Sequence, residues 1–254
     1  MSNPLVRSLT VLADGERVTG LSRVSLTGRE TLDLEPLPFF LRVWNPDDSA
    51  HEMLSAAKTV TVLREDSMLA AGKVAGVYRL TVPEGMITEV AFSPNLMLWE
   101  APVSLSVEAG VSVSETVQRI LEASGTGIRL LPCAGPDPVF ARGQAFHGRT
   151  AECVNDALSA VPARGYMTET GLCAVSAEGQ PVSLVLTEKD LTDAPVYTGE
   201  KMILRTKPVG WPLGKHAAVK WKNESAEGLV TERSIDADNM KGKWQAEIIL
   251  TIQN

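Results

Sequence analysis

A chain of 254 residues, 44% hydrophobic and 22% charged, has the composition of an ordinary folded protein, long enough for one large or two small domains that need no metal or disulfide. Its formal charge of -7, from 24 Lys and Arg against 31 Asp and Glu, disfavours sequence-independent nucleic-acid binding, since that affinity comes from cations displacing phosphate counterions. Cys133, Cys153 and Cys173 form no CxxC pair, which argues against a disulfide framework and for a reducing compartment. The first twelve residues lack a basic stretch followed by an apolar run, and no window approaches about 18 uninterrupted apolar residues, so neither signal-led secretion nor membrane insertion is expected.

The first hundred residues have the pattern of strands and tight turns. Leu9-Thr10-Val11 runs into Asp14-Gly15, a dipeptide that tolerates the positive φ of a two-residue hairpin turn, and Val18 resumes the strand. Val24 and Leu26, then Leu32 and Leu34, alternate with polar neighbours, as do Val74, Gly76, Tyr78, Leu80 and Val82. That period of two predicts strands with one buried face. Pro83-Glu84-Gly85 turns the chain, and Met86, Thr88, Val90 and Phe92 return. A short helix is predicted after Ser49, as N-cap, with Glu52 as its capping-box partner.

From about residue 111 the period lengthens to 3.6. Ser112-Val113-Ser114-Glu115 is a capping box, and Val113, Val117, Ile120 and Leu121 form one stripe that ends at Gly125, a residue suited to a left-handed helix terminus. A strand is predicted at 128–131 and a loop at 132–138. Thr150 is the expected cap of a second helix with the stripe Val154, Ala157, Leu158 and Val161, and Pro162 follows its end. Residues 166–175, broken by Thr170-Gly171, have the pattern of a hairpin.

After Leu186 the period of two returns with an internal echo. Leu41-Arg42 precedes the Lys58-led strand, Gly72-Lys73-Val74 and a hairpin; Leu204-Arg205 precedes the Lys215-led strand, Gly228-Leu229-Val230 and another hairpin through Asp238-Asn239 to Trp244. The order implies one β unit used twice, which would let three chains present six similar positions around an axis. The expected fold is α+β, mainly β, with two β-barrel-like units flanking a small α+β domain. The boundaries are 1–107, 108–190 with two helices, and 191–254, the last resembling part of the first.

Chemistry-bearing motifs are scarce. His51, His147 and His216 have no His or Cys at metal-ligand spacing. Gly110-Val111-Ser112-Val113-Ser114 lacks the closing glycine of a nucleophile elbow, so Ser112 is assigned to the helix cap. The stretch from Gly210 to His216 is one residue short of a P-loop and carries Pro212 where amides would meet phosphate; it is assigned as a loop entering a strand. Asp236-Ala237-Asp238-Asn239 lacks the glycine and glutamate of a calcium loop and is taken as a turn. The adjacent acids Asp47-Asp48 and Glu65-Asp66 are taken as solvated loop charge. No catalytic, metal or cofactor-binding residue is assigned. Trp221 and Trp244 are expected in the core, whereas Trp44, Trp99 and Trp211 stand near prolines and are the interface candidates.

In the order of its elements the chain resembles the baseplate hub family of contractile-tailed phages, the group comparable to the T4 hub and the Mu-type hub. The resemblance rests on the opening β segment leading to Leu98-Trp99-Glu100-Ala101-Pro102, the capped helix from Val113, Phe146-x-Gly148-x-Thr150 before the second helix, the Gly165-Tyr166 hairpin, and the ending Asp238-Asn239-Met240-Lys241-Gly242-Lys243-Trp244. It implies a non-enzymatic homotrimer in which two barrel-like units per chain make a pseudo-sixfold ring. That ring would join a hexameric tail tube, or tube-initiator protein, to a trimeric spike. The implied location is the virion baseplate, with assembly in the host cytoplasm; a tape-measure protein is a further implied partner, and genomic DNA meets the ring only in passage. No cofactor is implied, and no lysozyme, peptidase or peptidoglycan-binding appendage is present in the sequence. Two other readings stay open at this point: a carbohydrate- or receptor-binding β module, and a hub-linked wall-degrading enzyme.

Overall fold

The computed structural model describes residues 7–65, 67–131, 137–161, 163–168, 171–176 and 182–252. Asp66, Cys133, Pro162, Thr170 and most of the 132–138 loop therefore lie outside the described residues.

The first part contains β1 (Thr10–Ala13), β2 (Glu16–Arg17), β3 (Arg23–Thr31), β4 (Phe39–Trp44), α1 (Asp48–Ala56), β5 (Thr59–Arg64), β6 (Ser67–Val82) and β7 (Gly85–Ser93). The opening hairpin turns at Asp14 (φ 49°) and Gly15 (φ 85°), as the dipeptide demands. The Asp14 carboxylate also accepts the amides of Lys58 and Thr59, which ties the turn to the start of β5 and holds the carboxyl below its ordinary value. Asp47, not Ser49, caps α1: its carboxylate accepts from the Ala50 amide at 2.7 Å, so the helix starts two residues earlier than the Ser49 capping box implied.

The middle part contains α2 (Leu96–Glu100), β8 (Pro102–Val107), α3 (Val113–Ala123), β9 (Gln144–Arg149), α4 (Thr150–Leu158), β10 (Ala163–Thr168) and β11 (Gly171–Ser176). Ser112 caps α3 through the Glu115 amide, and Gly125 follows the helix at φ 66°. At α4 the cap position belongs to Arg149, whose amide donates to the Glu152 carboxylate. Thr150 is the first helical residue, and its buried hydroxyl donates instead to the Ala101 carbonyl. The strand expected at 128–131 reduces to a single parallel bridge, Leu130 with Leu172, flanked by two backbone hydrogen bonds. The α3 stripe packs against Val154, Ala157 and Leu158 of α4, above the β8–β9 pair. Phe146 of β9 and Leu34, from the segment after β3, join the same core.

The last part contains β12 (Leu184–Thr187), β13 (Val196–Thr198), β14 (Lys201–Thr206), β15 (His216–Trp221), β16 (Glu224–Asp238) and β17 (Trp244–Ile252). Thirteen strands form one hydrogen-bonded sheet in the order β13-β14-β17-β16-β3-β4-β7-β6-β5-β1-β2, with β15 and β12 branching from β16. The fold is thus α+β and mainly β, but pairing among the described residues closes neither flanking unit into a barrel. Instead β16, fifteen residues long, spans both: its first half pairs with β15 and its second half with β3. A core around Leu26, Phe39, Leu41, Val60 and Phe92 lies under the first half of the sheet, and Ile235, Ala237 and Ala246 of the β16–β17 hairpin reach into it. A second core around Leu186, Leu204, Val219, Ile248 and Leu250 lies under the other half, joined by Leu32.

Candidate assembly surfaces

The internal echo reappears as a shared register in the pairing of β4–β7 and of β14–β17. Val60 faces Gly72 between β5 and β6, and Ala217 faces Gly228 between β15 and β16; each faces the glycine from two places after its leading lysine. Two residues past each glycine a bulge follows, between Val74 and Gly76 on β6 and between Val230 and Glu232 on β16. Leu41 then faces Val90 as Leu204 faces Ile248. Arg42 pairs with Glu89 at 2.6 Å as Arg205 pairs with Glu247 at 3.3 Å. A Cβ on Gly72 would overlap the Ser93 backbone, and one on Gly228 would overlap that of Thr251. Ser93 and Thr251 hold equivalent registers, so the two glycines permit the same close approach of strands. Shared composition does not produce a shared register, shared bulge and shared ion pair.

The two units meet at a seam built on charge. Glu30 of β3 faces Arg233 of β16, and the guanidinium donates to one carboxylate oxygen from Nε at 3.0 Å and Nη2 at 2.7 Å. The Glu30 side chain is 3% exposed and that of Arg233 13%. The remaining Nη1 donates to the Trp211 carbonyl, and the Trp211 ring packs against both sheet cores while its Nε1 donates to Thr206 Oγ1. Arg64 donates to the Pro208 carbonyl. The segment 208–211, which overlaps the start of the P-loop-like stretch Gly210 to His216, is therefore a clamp between units, and that stretch runs as a loop into β15.

The other interface candidates are also tied into the chain. Trp44 is half-buried under the Arg23 guanidinium, 3.8 Å from the ring centroid, and Arg23 pairs with Asp238 at 2.8 Å. Trp99 donates to the Leu34 carbonyl and lies beneath Arg149. The three tryptophans thus each join segments distant in sequence, and the structure does not bring them together. Trp221 and Trp244 are half-buried against the sheet cores.

Burial raises the cost of ionising Asp238, but hydrogen bonds from Arg23 and from the Lys241 and Met240 amides, with the Arg23 charge, outweigh it and hold the carboxyl below its ordinary value. A depressed folded value means stability present above the unfolded carboxylate range and lost as pH falls through the depressed value. Asp238→Asn is therefore expected to lower the melting temperature at pH 7 more than at pH 3. Melting curves at the two pH values check this, and an equal loss at both would show the carboxylate contributes nothing through its charge.

The residues that sequence reasoning placed wrongly are Tyr78 and Leu80. Their alternation with Val74 predicted a common buried face, yet they are 53% and 39% exposed. The bulge at Ala75 inserts one residue, so the side chains beyond it exchange faces: Val74 packs toward the core, Gly76, Tyr78 and Leu80 point away, and Val77 packs inward in their place. Val196 and Tyr197 of β13, 47% and 51% exposed, were also missed, because three residues give too short a period to recognise.

Among the described residues no group of three or more His, Cys, Asp or Glu side chains is placed to hold a metal ion, and no helix is long and apolar enough to cross a membrane. No protein-family model matches the sequence, and no curated protein matches it. Solved structures do. A tail protein from Neisseria meningitidis superposes with a TM-score of 0.71 at 11% identity, over 96% of each chain. The prophage MuSo2 43 kDa tail protein from Shewanella oneidensis gives 0.69 at 9% identity, again over 96% of each. The E. coli c3393 protein, a component of the type VI secretion system with structural similarity to the T4 bacteriophage tail proteins gp27 and gp5, gives 0.72 at 12% identity over 96% of this chain and 77% of its own. The fold is that of these phage tail and type VI secretion proteins.

Proposed function

We propose that this chain, having the fold of phage tail proteins, is the structural hub of a tail baseplate: a homotrimeric ring that adapts a hexameric tail tube to a trimeric spike. The observation that carries the reading is the β unit repeated in one register, since three chains with two equivalent units each offer six like positions to a sixfold tube while keeping threefold symmetry for a spike. The similarity to tail proteins, and to a protein itself similar to gp27 and gp5, supports it. In this reading the units 1–107 and 191–254 build the ring and the unit 108–190 is attached to it. The role is mechanical, with no catalytic step and no cofactor. Tube or tube-initiator protein and spike bind opposite faces, and the tape-measure protein and passing DNA occupy the channel. The protein resides in the virion baseplate after assembly in the host cytoplasm.

The expected result is a particle of three times the 27.3 kDa chain mass by light scattering, seen in negative stain as a threefold ring with a central hole. A strictly monomeric particle at micromolar concentration, even with tube and spike proteins added, would count against the reading.

A further inference from the structure

Among the described residues, the repeat leaves one strand-pairing site filled and its equivalent empty. In the second unit, β15 pairs with β16 only as far as Leu229, and the rest of that β16 edge, from Glu232 to Asp238, is taken by β3 of the first unit. In the first unit, β5 likewise pairs with β6 only as far as Lys73. Beyond it, the edge from Gly76 to Val82 has no neighbour on that side among the described residues; β7 lies on the other. The strand equivalent to β3 is β13, since β3 pairs with β4 through Thr27 and Phe40 as β13 pairs with β14 through Val196 and Ile203. Among the described residues the outer edge of β13 is the end of the sheet. One chain thus carries a used donor edge and a used acceptor edge in the middle, with an unused acceptor and an unused donor left over.

We infer that β13 of one chain pairs antiparallel with the outer half of β6 of a second copy of this chain, repeating between chains the β3–β16 contact within one. This rests on the proposed trimeric ring, and it names the contact that would close it. The register follows from the repeat. Ser234 faces Arg29, Ile235 faces Gly28 and Asp236 faces Thr27; replacing each by its equivalent sets Tyr78 opposite Thr198, Arg79 opposite Tyr197 and Leu80 opposite Val196. The exposed apolar side chains agree with that register independently. Leu80 and Val196 become direct cross-strand neighbours on one face, with Tyr78 beside them. An unprotected strand edge with apolar side chains is a template for another strand. Because donor and acceptor edges differ, the contact is head to tail, and such contacts generate rings when the rotation closes.

The test uses the full chain carrying Leu80→Cys and Val196→Cys together, oxidised under mild conditions. Directly opposed residues in an antiparallel pair have Cα atoms about 4.5–5.5 Å apart, within disulfide range. The expected result is a covalent trimer on non-reducing gels, absent for either single variant, which control for the native thiols, and absent for Leu80→Cys with Tyr197→Cys, which places the thiols on opposite faces. In parallel, Val196→Lys is expected to leave the circular dichroism spectrum unchanged and shift the particle from trimer to monomer. A trimer by light scattering that forms no disulfide in the Leu80→Cys, Val196→Cys double variant and survives Val196→Lys would overturn this contact and leave the hub reading standing. A wild-type chain that stays monomeric at micromolar concentration even with tube and spike proteins added would overturn both.

Discussion

Glu30→Ala is expected to destabilise the protein by about 3–5 kcal/mol, because it leaves the Arg233 guanidinium buried at the seam without its carboxylate. For a chain of this size that corresponds to a fall in Tm on the order of 10 °C. The loss comes from an uncompensated charge rather than from the pair being a strong attraction, so the double change Glu30→Leu with Arg233→Met is expected to recover most of it. Urea denaturation of the two variants beside the wild type separates these effects. A single variant within about 1 kcal/mol of wild type would mean that water reaches the pair and that the seam does not depend on it. The same comparison reports on the joint between units, since Arg233 also holds the Trp211 carbonyl.

The second large effect is expected from the paired glycines. Gly72→Ala must push the β6 backbone away from Ser93 and Pro94, and Gly228→Ala must push β16 away from Thr251; in both cases the obstacle is backbone rather than the end of a flexible side chain. Each is expected to cost about 2–3 kcal/mol, in the range of overpacking changes. Gly76→Ala, on the same strand as Gly72, meets the exposed Tyr78 hydroxyl, which can rotate away, and is expected to cost less than about 1 kcal/mol. Equal losses at Gly72 and Gly76 would remove the close backbone approach as the cause, because strand propensity alone favours Ala over Gly at both positions. Similar losses at Gly72 and Gly228 would show that the two units use their glycines in the same way.

Features decided by short stretches of chain were legible in the residues. The Asp14-Gly15 turn, the Ser112 cap with its Val113, Val117, Ile120 and Leu121 stripe, and the Pro83-Glu84-Gly85 hairpin each depend on interactions within a few residues or one period. Even so, local choices went astray where two groups competed: the Asp47 carboxylate reached the Ala50 amide before Ser49 could act as cap, and Thr150 gave its hydroxyl to Ala101 rather than to its own helix. The echo was visible as an order of residues because each unit repeats its own glycine, lysine and arginine positions.

What the order of residues determined by itself was the set of pieces: strands of period two, three helices, and one β unit written twice. The tertiary structure decided which faces those pieces turn and what they meet. A bulge at Ala75 reversed Tyr78 and Leu80 because side chains alternate strictly along a strand and one extra residue changes every direction after it. Glu30 found Arg233 across 203 positions, and Trp44, Trp99 and Trp211 were bound to internal partners, because pairing between distant strands depends on the arrangement of the whole sheet and leaves no periodic trace in either strand alone.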